Sequence, residues 1–399
     1  MTQTGCTDPQ ATNFDPLAVS NDGSCQYPPT TIAPLKIADL PTALNSSSGL
    51  ILAGGRLWSH NDSDFDPKLF SIDSMTGKIL QTIDLQGVTK INWEDLAVDN
   101  TGTGRIFIGE FGNNFSGNRT DLAVYAIEIA SIKTSGDDTL DMSEVQKIGF
   151  SYPDQTDFTA LPPNSTAFDC EAFFWKNGRL HLFTKNWTTL ISAHYALDPT
   201  TGICEKIEVF PGQSGLITAA DIASDGSTIA LLGYDLGSFS AFAWLLWDYP
   251  GEQFFSGNRR KISLGSVLSL GQSEGLAWSG GYGGFISNEK IQQVITIPAS
   301  LWRFDFSGIF KNSGIFVPAV FSINDWLIYP NPTTQTIHFQ PVMQEVGAIA
   351  RLYDGSGKLV LEQPTSGNLD LPGGLQHGVY FLEITVGSAR ILKKQVWVE

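Results

Sequence analysis

Hydrophobic residues in the middle of the chain fall into short runs, each bounded by Gly, Asn, Asp or Pro. Runs of this length that end in turn residues are typical of β-strands rather than helices. Between about Ile32 and Phe316 the runs follow a repeating order: a first strand, a turn, a second strand, a third and, in four units, a fourth. First strands are predicted at SSGLIL from Ser47, WEDLAV from Trp93, CEAFFW from Cys170, AADIAS from Ala219 and SEGLAW from Ser273.

The period of this repeat predicts a β-propeller. Four-stranded units that recur at roughly 50 residues build propeller blades, and one gap here is longer. We predict five blades; a sixth could lie in the longer gap, where we otherwise predict a hairpin from Ser131 to Glu144 and a loop from Pro153 to Ala167. A β-sandwich with chance similarity between its strands is the alternative. The alignment takes as equivalent Gly49, Asp95, Ala172, Asp221 and Gly275.

The fifth unit lacks a fourth strand of its own. Pro34-Leu-Lys-Ile-Ala-Asp, ahead of the first unit, has the pattern of an outer strand and is predicted to complete that blade. Such pairing of the two ends closes the ring and removes an exposed sheet edge. Cys170 and Cys204 fall at opposite faces of the predicted blade, too far apart to bridge, so we predict two free, buried thiols.

Composition supports an all-β protein and narrows its partners. With 40 Gly, 25 Phe and 10 Trp, the chain is rich in residues of strands and turns. Its net charge of −17 repels phosphate backbones and argues against nucleic acid; it suits either Ca²⁺ binding or simple solubility. No apolar run is long enough to span a membrane. The first residues lack the apolar stretch of a secretory signal, so we expect an exported form to have lost its signal and gained Met1.

The N-terminal string GCTDPQATNFDPLAVSNDGSCQYP resembles a short Cys-bounded module of secreted Bacteroidota proteins. A Cys6–Cys25 disulfide would close a loop of about 20 residues and contribute about 3 kcal/mol, which so small a segment needs because it has no core. The loop is dense in side-chain oxygens and resembles the calcium loops of thrombospondin type 3 repeats; the alternative is a set of Asx turns. Calcium ligands are predicted there at Asp8, Asn13, Asp15 and Asp22.

The end of the chain carries four phrases in order: IYPNPTTQTIHF at Ile328, ARLYDGSGKLV at Ala350, LDLPGGLQHGVYFLEI at Leu369 and the closing ILKKQVWVE. It resembles the type A sorting domain of type IX secretion, the outer-membrane export route of Bacteroidota. The resemblance implies a small β-sandwich, the type IX secretion machinery as a partner, and a secreted or outer-membrane surface location. A carbohydrate-binding or adhesive sandwich is the alternative. The predicted divisions are a Cys-bounded segment and linker at 1–31, a propeller at 32–318 and the sorting domain at 319–399.

Polar residues from every predicted blade meet at one face of the propeller. The loop before a first strand and the loop after a second strand border the same mouth of the central channel. Metal ligands are predicted at Glu94, Asn113, Asp235 and Glu289. Ligand-binding residues are predicted at Asp62, Asn114, Glu171, Lys185, Asn186, Asp221, Tyr234 and Glu274, and catalytic bases at His60 and Glu110.

An excess of carboxylates over basic groups is the reason to expect a cation at this mouth. Carboxylates held close in a buried funnel cannot all stay ionised unless cations or basic groups offset them. Basic candidates are few: Lys185, His60 and Arg119. An all-oxygen ligand set favours Ca²⁺, with Mg²⁺ next. The alternative for the first-strand acids is structural, with an inward acid in each blade that accepts N–H groups of neighbouring blades.

Two functions stay open, and with them the question of whether the protein is an enzyme. The first is a secreted or surface propeller that binds a small molecule, glycan or protein at a Ca²⁺-supported mouth. The second follows from a loose similarity of the repeat phrases to Ca²⁺-dependent propeller hydrolases, namely phytases, phytase-like esterases and gluconolactonase or regucalcin-type lactonases. Basic residues for a polyanion are scarce, so a neutral lactone, ester or sugar is favoured over a phosphate. The chain has no G-x-S-x-G, HExxH, P-loop or G-x-G-x-x-G motif.

Overall fold

The chain forms two compact units, residues 1–315 and 316–399. Among the described residues, no helix has the length and apolar character needed to cross a membrane. The predicted domain boundary at residues 318 and 319 lies outside the described residues. The structure, a computed structural model, describes residues 3–62, 65–99, 104–292, 296–310, 327–329, 333, 335–340, 348–355, 357–364, 368–386 and 389–398.

The first unit is built from sheets that follow the sequence repeat. Ahead of them lie β1 (Thr4–Gly5), β2 (Ser20–Asn21), β3 (Thr30–Thr31) and β4 (Leu35–Asp39). Blade 1 contains β5 (Ser47–Ala53), β6 (Arg56–Asn61), β7 (Lys68–Ile72) and β8 (Ile79–Gln86). Blade 2 contains β9 (Trp93–Asp99), β10 (Arg105–Glu110), β11 (Ala123–Glu128) and, after β12 (Asp138–Asp141), β13 (Val145–Gly149).

The remaining blades have the same order of strands. Blade 3 contains β14 (Cys170–Lys176), β15 (Arg179–Thr184), β16 (Ala193–Leu197) and β17 (Cys204–Val209). Blade 4 contains β18 (Leu216–Ile222), β19 (Ile229–Asp235), β20 (Ser240–Trp247) and β21 (Asn258–Ser266). Blade 5 contains β22 (Gln272–Gly280), β23 (Gly283–Glu289) and, after the short pair β24 (Ile291–Gln292) and β25 (Thr296–Ile297), β26 (Ser300–Asp305).

Helices in this unit are single turns within the connections. In the described part of the unit two are α-helical, α1 (Val267–Leu270) and α2 (Ser307–Phe310). The four 3-10 turns are Thr42–Leu44, Ile129–Ser131, Met142–Glu144 and Phe254–Ser256.

The blades close into a ring of five. The inner strands β5, β9, β14, β18 and β22 contact one another in that order, and β22 contacts β5. Each neighbouring pair of blades encloses its own apolar core, such as Trp58 with Trp93 between blades 1 and 2, or Leu50 with Leu301 between blades 1 and 5. Because five interfaces are filled in this way, the predicted five-bladed propeller is confirmed.

The N-terminal strand completes the last blade as predicted. Strand β4 pairs antiparallel with β26, with Asp39 opposite Ser300. Cys170 and Cys204 are free and buried, which is also as predicted. The predicted hairpin over Ser131 to Glu144 is wrong: β12 leaves blade 2 and pairs in parallel with β8, the outer strand of blade 1. Strand pairing between segments so far apart in sequence leaves no turn signal to find.

The N-terminal segment is stapled by the predicted Cys6–Cys25 disulfide and docks on blade 4. Strand β3 pairs in parallel with β21, the outer strand of that blade. Asn21 Nδ2 donates to Asp248 Oδ2 at 2.9 Å, in the connection between β20 and β21. That connection opens on the face opposite the channel mouth, so the segment lies away from the mouth.

The second unit is a small two-sheet structure. Its described core includes Ile337, Leu352, Leu369, Leu382 and Val396, which come from both sheets. One sheet contains β27 (Leu327–Tyr329), β28 (Thr336–Gln340) and β31 (Asn368–Asp370). The other contains β29 (Ala348–Tyr353), β30 (Leu359–Pro364), β32 (Gly378–Val386) and β33 (Ala389–Val398).

Candidate functional site

Every inner strand of the propeller has a β-bulge near its first residue, at the channel mouth. The pairing with the second strand of the same blade shifts register at this point in all five blades. A bulge turns a side chain out of the regular alternation and is common beside binding sites. The bulges include Ser48, Glu94, Glu171, Thr218 and Glu274. The local backbone therefore presents three glutamates at one mouth.

The bulge of blade 4 corrects the sequence alignment by two residues. The alignment made Asp221 equivalent to Asp95, but the register shift lies at Thr218, which places Ala219 at that position. The error arose because the acid in Ala-Ala-Asp was matched to the acids of the other phrases, whereas the residue of blade 4 equivalent to Glu94 is Thr218, which carries a hydroxyl group. Thr218 Oγ1 donates to the backbone oxygen of Ser273 in blade 5 at 2.7 Å.

Glu94, Asp169 and Glu171 form what we call the carboxylate trio, at the mouth ends of blades 2 and 3. One oxygen of each carboxylate lies within 4.8 Å of the others, and all three side chains are buried. Within the described part of the chain, no other three acidic, histidine or cysteine side chains meet this closely. Asp169 was not predicted. Its signal in the sequence is that Asp169 and Glu171 are two residues apart and so face the same side of an extended chain.

Asp169 is held firmly by its neighbours. The backbone N–H of Asn113 donates to Oδ1 at 2.6 Å, and the Trp187 indole donates to Oδ2 at 2.7 Å. The loop after β10 can approach so closely because residue 112 is glycine; a Cβ there would collide with the side chains of Asn92 and Glu94. The amide oxygen of Asn113 accepts the N–H of Arg119 at 3.1 Å, so its predicted role as a metal ligand stays a prediction.

Lys185 is the basic residue of this buried cluster. Its ammonium donates to Glu171 Oε2 at 2.7 Å and lies 3.8 Å from Glu274 Oε1. The same ammonium lies 5.1 Å from the ring centroid of Trp187 and 5.4 Å from that of Tyr234. One ammonium thus faces the trio and Glu274 together, which leaves the cluster with an excess of carboxylates.

Burial and mutual repulsion raise the pKa values of these carboxyl groups. For Glu94 the burial effect is largest, followed by repulsion from Glu171, Asp62 and Asp169. Burial also raises the pKa values of Asp169 and Glu171, against the lowering effect of Lys185. Burial alone would lower the pKa of Lys185, but the surrounding carboxylates outweigh it and hold that pKa well above its usual range. The cluster is therefore short of positive charge.

Glu274, the bulge residue of blade 5, has one oxygen without a partner. Gln272 Nε2 donates to Oε1 at 2.7 Å, whereas Oε2 is buried and makes no hydrogen bond within the described residues. Burial raises the pKa of Glu274, and Asp62 and Asp169 raise it further. Burial likewise raises the pKa of Glu289, at the end of β23, to about 8. An unpaired buried carboxyl oxygen is costly, so Oε2 favours a cation or a hydrogen-bond donor as its partner.

Asp95 and Asp221 have the structural arrangement that was the alternative for the first-strand acids. Asp95 Oδ2 accepts the N–H groups of Phe173 in blade 3 at 3.2 Å and Ala220 in blade 4 at 3.0 Å. Asp221 Oδ2 accepts the N–H of Trp278 in blade 5 at 2.8 Å. Each carboxylate therefore connects inner strands of different blades. The predicted role of Asp221 in ligand binding stays a prediction.

His60 and Glu110, the predicted bases, are both buried and engaged. Burial lowers the pKa of His60 to about 3, and its Nδ1 lies 2.9 Å from the oxygen of Asn61. Glu110 accepts the N–H of Ile91 at 2.8 Å and pairs with Arg119 at 2.7 Å. These contacts support the loops of the mouth, and a catalytic role stays a prediction.

The remaining predicted residues of the mouth line its edge. Asp235 accepts the Ser238 N–H at 2.8 Å, and Asn186 accepts the Thr188 N–H at 3.1 Å, so both cap their own turns. Asn114 Oδ1 accepts from Asn92 Nδ2 at 3.3 Å. The structure thus brings together Glu94, Glu171, Lys185, Tyr234 and Glu274, with Asp62 and Glu289 close enough to influence their charge.

The oxygen-rich N-terminal segment has the contacts of Asx turns. Asp8, Asp15 and Asp22 each accept the N–H of the residue two positions later, at 2.9 to 3.0 Å. Asn13 Oδ1 accepts the N–H of Gln26 at 2.8 Å. This is the alternative that the sequence left open, and calcium binding by the segment stays a prediction.

Comparison with known protein families identifies the last part of the chain. Residues 327–399 match the family model described as a secretion system C-terminal sorting domain. This sorting domain indicates a secreted or cell-surface-attached protein, so the predicted location is confirmed. The secretion machinery that reads such a domain is accordingly a partner.

Outside the sorting domain, the comparisons show similarity of fold and assign no activity to this chain. No curated protein matches the sequence. Among solved structures, an exo-β-1,3-galactanase from Phanerochaete chrysosporium has 9% identity over 93% of this chain and 99% of its own, with a TM-score of 0.44. An aldose sugar dehydrogenase from Streptomyces coelicolor has 12% identity over 70% and 99%, with a TM-score of 0.38. A GH43 β-1,3-galactosidase has 14% identity over 68% and 93%, with a TM-score of 0.39. Similarity this low carries no argument about a site.

Proposed function

We propose that this secreted or surface-attached propeller binds a ligand at its acidic channel mouth, with Ca²⁺ held by Glu94, Asp169 and Glu171. The observation that carries the proposal is the carboxylate trio, with its three buried oxygens within 4.8 Å of one another. The unpaired Oε2 of Glu274 beside it is an independent sign that the cluster receives a ligand.

Charge and ligand chemistry favour a hard divalent cation. Four buried carboxylates, those of the trio and Glu274, face one ammonium, that of Lys185. Lys185 can offset only one of these charges, and the other carboxylates would have to hold a proton or bind a cation, because an uncompensated buried charge costs several kcal/mol. Carboxylate oxygens are ligands for Ca²⁺ and Mg²⁺, and the wider, more flexible coordination of Ca²⁺ suits side chains from two blades and a loop.

Calorimetric titration of the full chain with CaCl₂ at neutral pH tests the proposal. We expect a saturable site, and we expect Glu94→Gln to weaken binding at that site at least ~10-fold because one of three charged ligands is lost. Asp235→Asn is the matched control: it removes the same charge at the same face but lies outside the trio, so its affinity should equal that of the parent protein.

The outcomes separate the possible ligand sets. No measurable Ca²⁺ binding, or equal binding by the Glu94→Gln variant, would refute the trio as the site. Weaker binding by both Glu94→Gln and Asp235→Asn would instead favour the ligand set predicted from sequence, which contains both residues. A site in the N-terminal segment would add a second stoichiometric event, which the double substitution Asp15→Asn with Asp22→Asn would remove.

A second function, hydrolysis of a neutral lactone or ester, is supported by the state of Glu274. Its raised pKa and free Oε2 leave a carboxyl group able to donate a proton beside the proposed cation. In this function the cation would polarise the substrate carbonyl, and water would add to it. The ester C–O bond would break as the Glu274 carboxyl group passes its proton to the leaving oxygen, and the proton released by the added water would restore that carboxyl group.

Assays with glucono-δ-lactone and p-nitrophenyl acetate test this second function. We expect Ca²⁺-dependent hydrolysis that falls at least ~100-fold in Glu274→Gln while Ca²⁺ binding is retained. Gln272→Ala serves as control, because it removes the hydrogen bond to Oε1 but keeps the carboxyl group. Activity that survives Glu274→Gln would exclude this residue as the proton donor.

A further inference from the structure

Two loops at the channel mouth form one connected unit, which we call the paired loops. They are residues 111–122, between β10 and β11, and residues 150–169, between β13 and β14. Leu161 donates its backbone N–H to the backbone oxygen of Ser116 at 2.9 Å, and Asn164 donates its N–H to that of Asn114 at 2.8 Å. The side chain of Gln155 also donates to the backbone oxygen of Gly117 at 2.9 Å. The paired loops are therefore held in place by their own hydrogen bonds.

One end of the paired loops lies at the carboxylate trio and contributes Asp169 to it. Asp169 is the last residue of the second loop, and the N–H of Asn113 in the first loop donates to it. Trp187 lies half-buried at the same place: its indole donates to Asp169, and its backbone N–H donates to the oxygen of Thr166 at 3.0 Å. The paired loops therefore lie directly beside the carboxylate trio.

The other part of the paired loops exposes apolar side chains. Phe115 is 81% exposed. Leu161, whose backbone N–H is bound to Ser116, is 41% exposed. An aromatic ring presented to water on a loop that is fixed by hydrogen bonds contributes little to the core and is available for contact with a ligand. Within the described part of the propeller, all exposed Phe side chains lie in connections at this mouth: Phe65, Phe115, Phe158 and Phe239.

We propose that the paired loops and the cation together bind a neutral saccharide. This inference rests on the proposed function, because the trio supplies three carboxylates whereas Ca²⁺ takes 6–8 oxygen ligands. Adjacent sugar hydroxyls fill the open coordination positions. The C–H face of the same sugar packs on Phe115, since the positive C–H edges meet the negative face of an aromatic ring.

Charge at the mouth selects this class of ligand over the alternatives. The net charge of −17 and the carboxylates near the trio repel phosphorylated or acidic ligands. A basic peptide would also suit the acidic mouth, but it would compete with the cation for the carboxylates of the trio instead of completing the coordination of that cation. A saccharide is neutral, offers oxygens to the cation and presents an apolar face to the ring.

Binding of the full chain to an array of neutral oligosaccharides, with Ca²⁺ or with EDTA, tests the proposal. We expect Ca²⁺-dependent binding to at least one of them, and at least ~10-fold weaker binding by Phe115→Ala, because aromatic contacts of this kind dominate the apolar part of such sites. Calorimetric Ca²⁺ affinity should be unchanged in Phe115→Ala, because Phe115 is not a ligand of the trio. Phe14→Ala is the matched control, since Phe14 is an exposed Phe of the N-terminal segment, away from the mouth.

The outcomes distinguish failure of this inference from failure of the proposed function. Ca²⁺ binding with no affinity for any neutral oligosaccharide on the array would overturn the saccharide and leave the cation site standing. Equal losses in Phe115→Ala and Phe14→Ala would overturn the paired loops as the contact surface. Binding of polylysine that Ca²⁺ abolishes would replace the saccharide with a basic peptide. Absence of Ca²⁺ binding in calorimetry would overturn both proposals.

Discussion

Asp95→Ala is expected to lower the free energy of unfolding by about 3–5 kcal/mol. The carboxylate of Asp95 accepts N–H groups from Leu96 in its own strand, Phe173 in blade 3 and Ala220 in blade 4. All of these are buried, and alanine would leave the inter-blade N–H groups unpaired in a dry core. Urea unfolding followed by tryptophan fluorescence measures the loss.

Asp225→Ala and Asp221→Ala are the comparison variants for the stability loss in Asp95→Ala. Asp225 is exposed and only caps its own turn, by accepting the N–H of Ser227 at 2.9 Å, so its loss should cost less than about 1 kcal/mol. Asp221 accepts one N–H from another blade, that of Trp278, and should be intermediate. Equal stability of the Asp95 and Asp225 variants would show that Asp95 does not connect the blades.

Without Ca²⁺, the protein is expected to lose stability as pH rises above about 6.5, and Ca²⁺ is expected to restore part of it. Burial raises the pKa of Glu289 to about 8 and that of Glu94 well above its usual range. A folded-state pKa above the unfolded value means that the folded protein binds more protons, so stability falls as pH rises through the folded pKa. Bound Ca²⁺ would offset the resulting repulsion; at 100 times its dissociation constant a ligand adds about 2.7 kcal/mol.

Urea unfolding at several pH values between about 6.5 and 9, with EDTA or with CaCl₂, measures both effects. The buried histidines oppose this fall only near the lower end of the range, where the unfolded side chains, with an ordinary pKa of about 6.5, still bind protons. Burial lowers the pKa values of His60 and His194 to about 3 and of His181 to about 2, so all are neutral in the folded and unfolded states at the upper pH values. Burial raises the pKa of Asp221 to about 7. Because Asp221 lies between blades, its ionisation should lower stability further as pH rises, and Ca²⁺ should not reverse that part of the loss.

Glu94→Gln separates the cation from the other contributions. This variant should lose the Ca²⁺ response and show a shallower fall with pH, since one repelling carboxylate is gone. A rise of stability with pH across this range, or an undiminished Ca²⁺ response in the variant, would contradict the proposed site.

Blade number and ring closure could be predicted because each blade is local in sequence. Four consecutive strands joined by tight turns leave a repeating pattern, and the missing outer strand of blade 5 pointed to residues 35–39 ahead of the ring. Pairing of β12 with the outer strand of blade 1 could not be predicted, because it joins segments that no turn connects.

The site was predicted in part. Topology alone brings Glu94, Glu171, Lys185 and Glu274 to one mouth, since strand direction alternates within every blade. Asp169 was missed because it lies in a long loop outside the repeated phrase, and the loop after β10 decides where it sits. Asp221 was aligned with Asp95 because an acid was matched to an acid, whereas the bulge lies at Thr218.

The all-β propeller, its closure, the disulfide, the sorting domain and the acidic character of one mouth can all be predicted from the sequence. These follow from local patterns of strand, turn and charge, which the chain carries wherever it folds. Which acids meet as the carboxylate trio, and which connect the blades, depends on how the strands pair and pack. Glu94 and Asp95, for example, are neighbours in one strand, at the bulge that forms where β9 pairs with β10. Glu94 joins Asp169 and Glu171 in the cluster, whereas Asp95 lies in the inter-blade core.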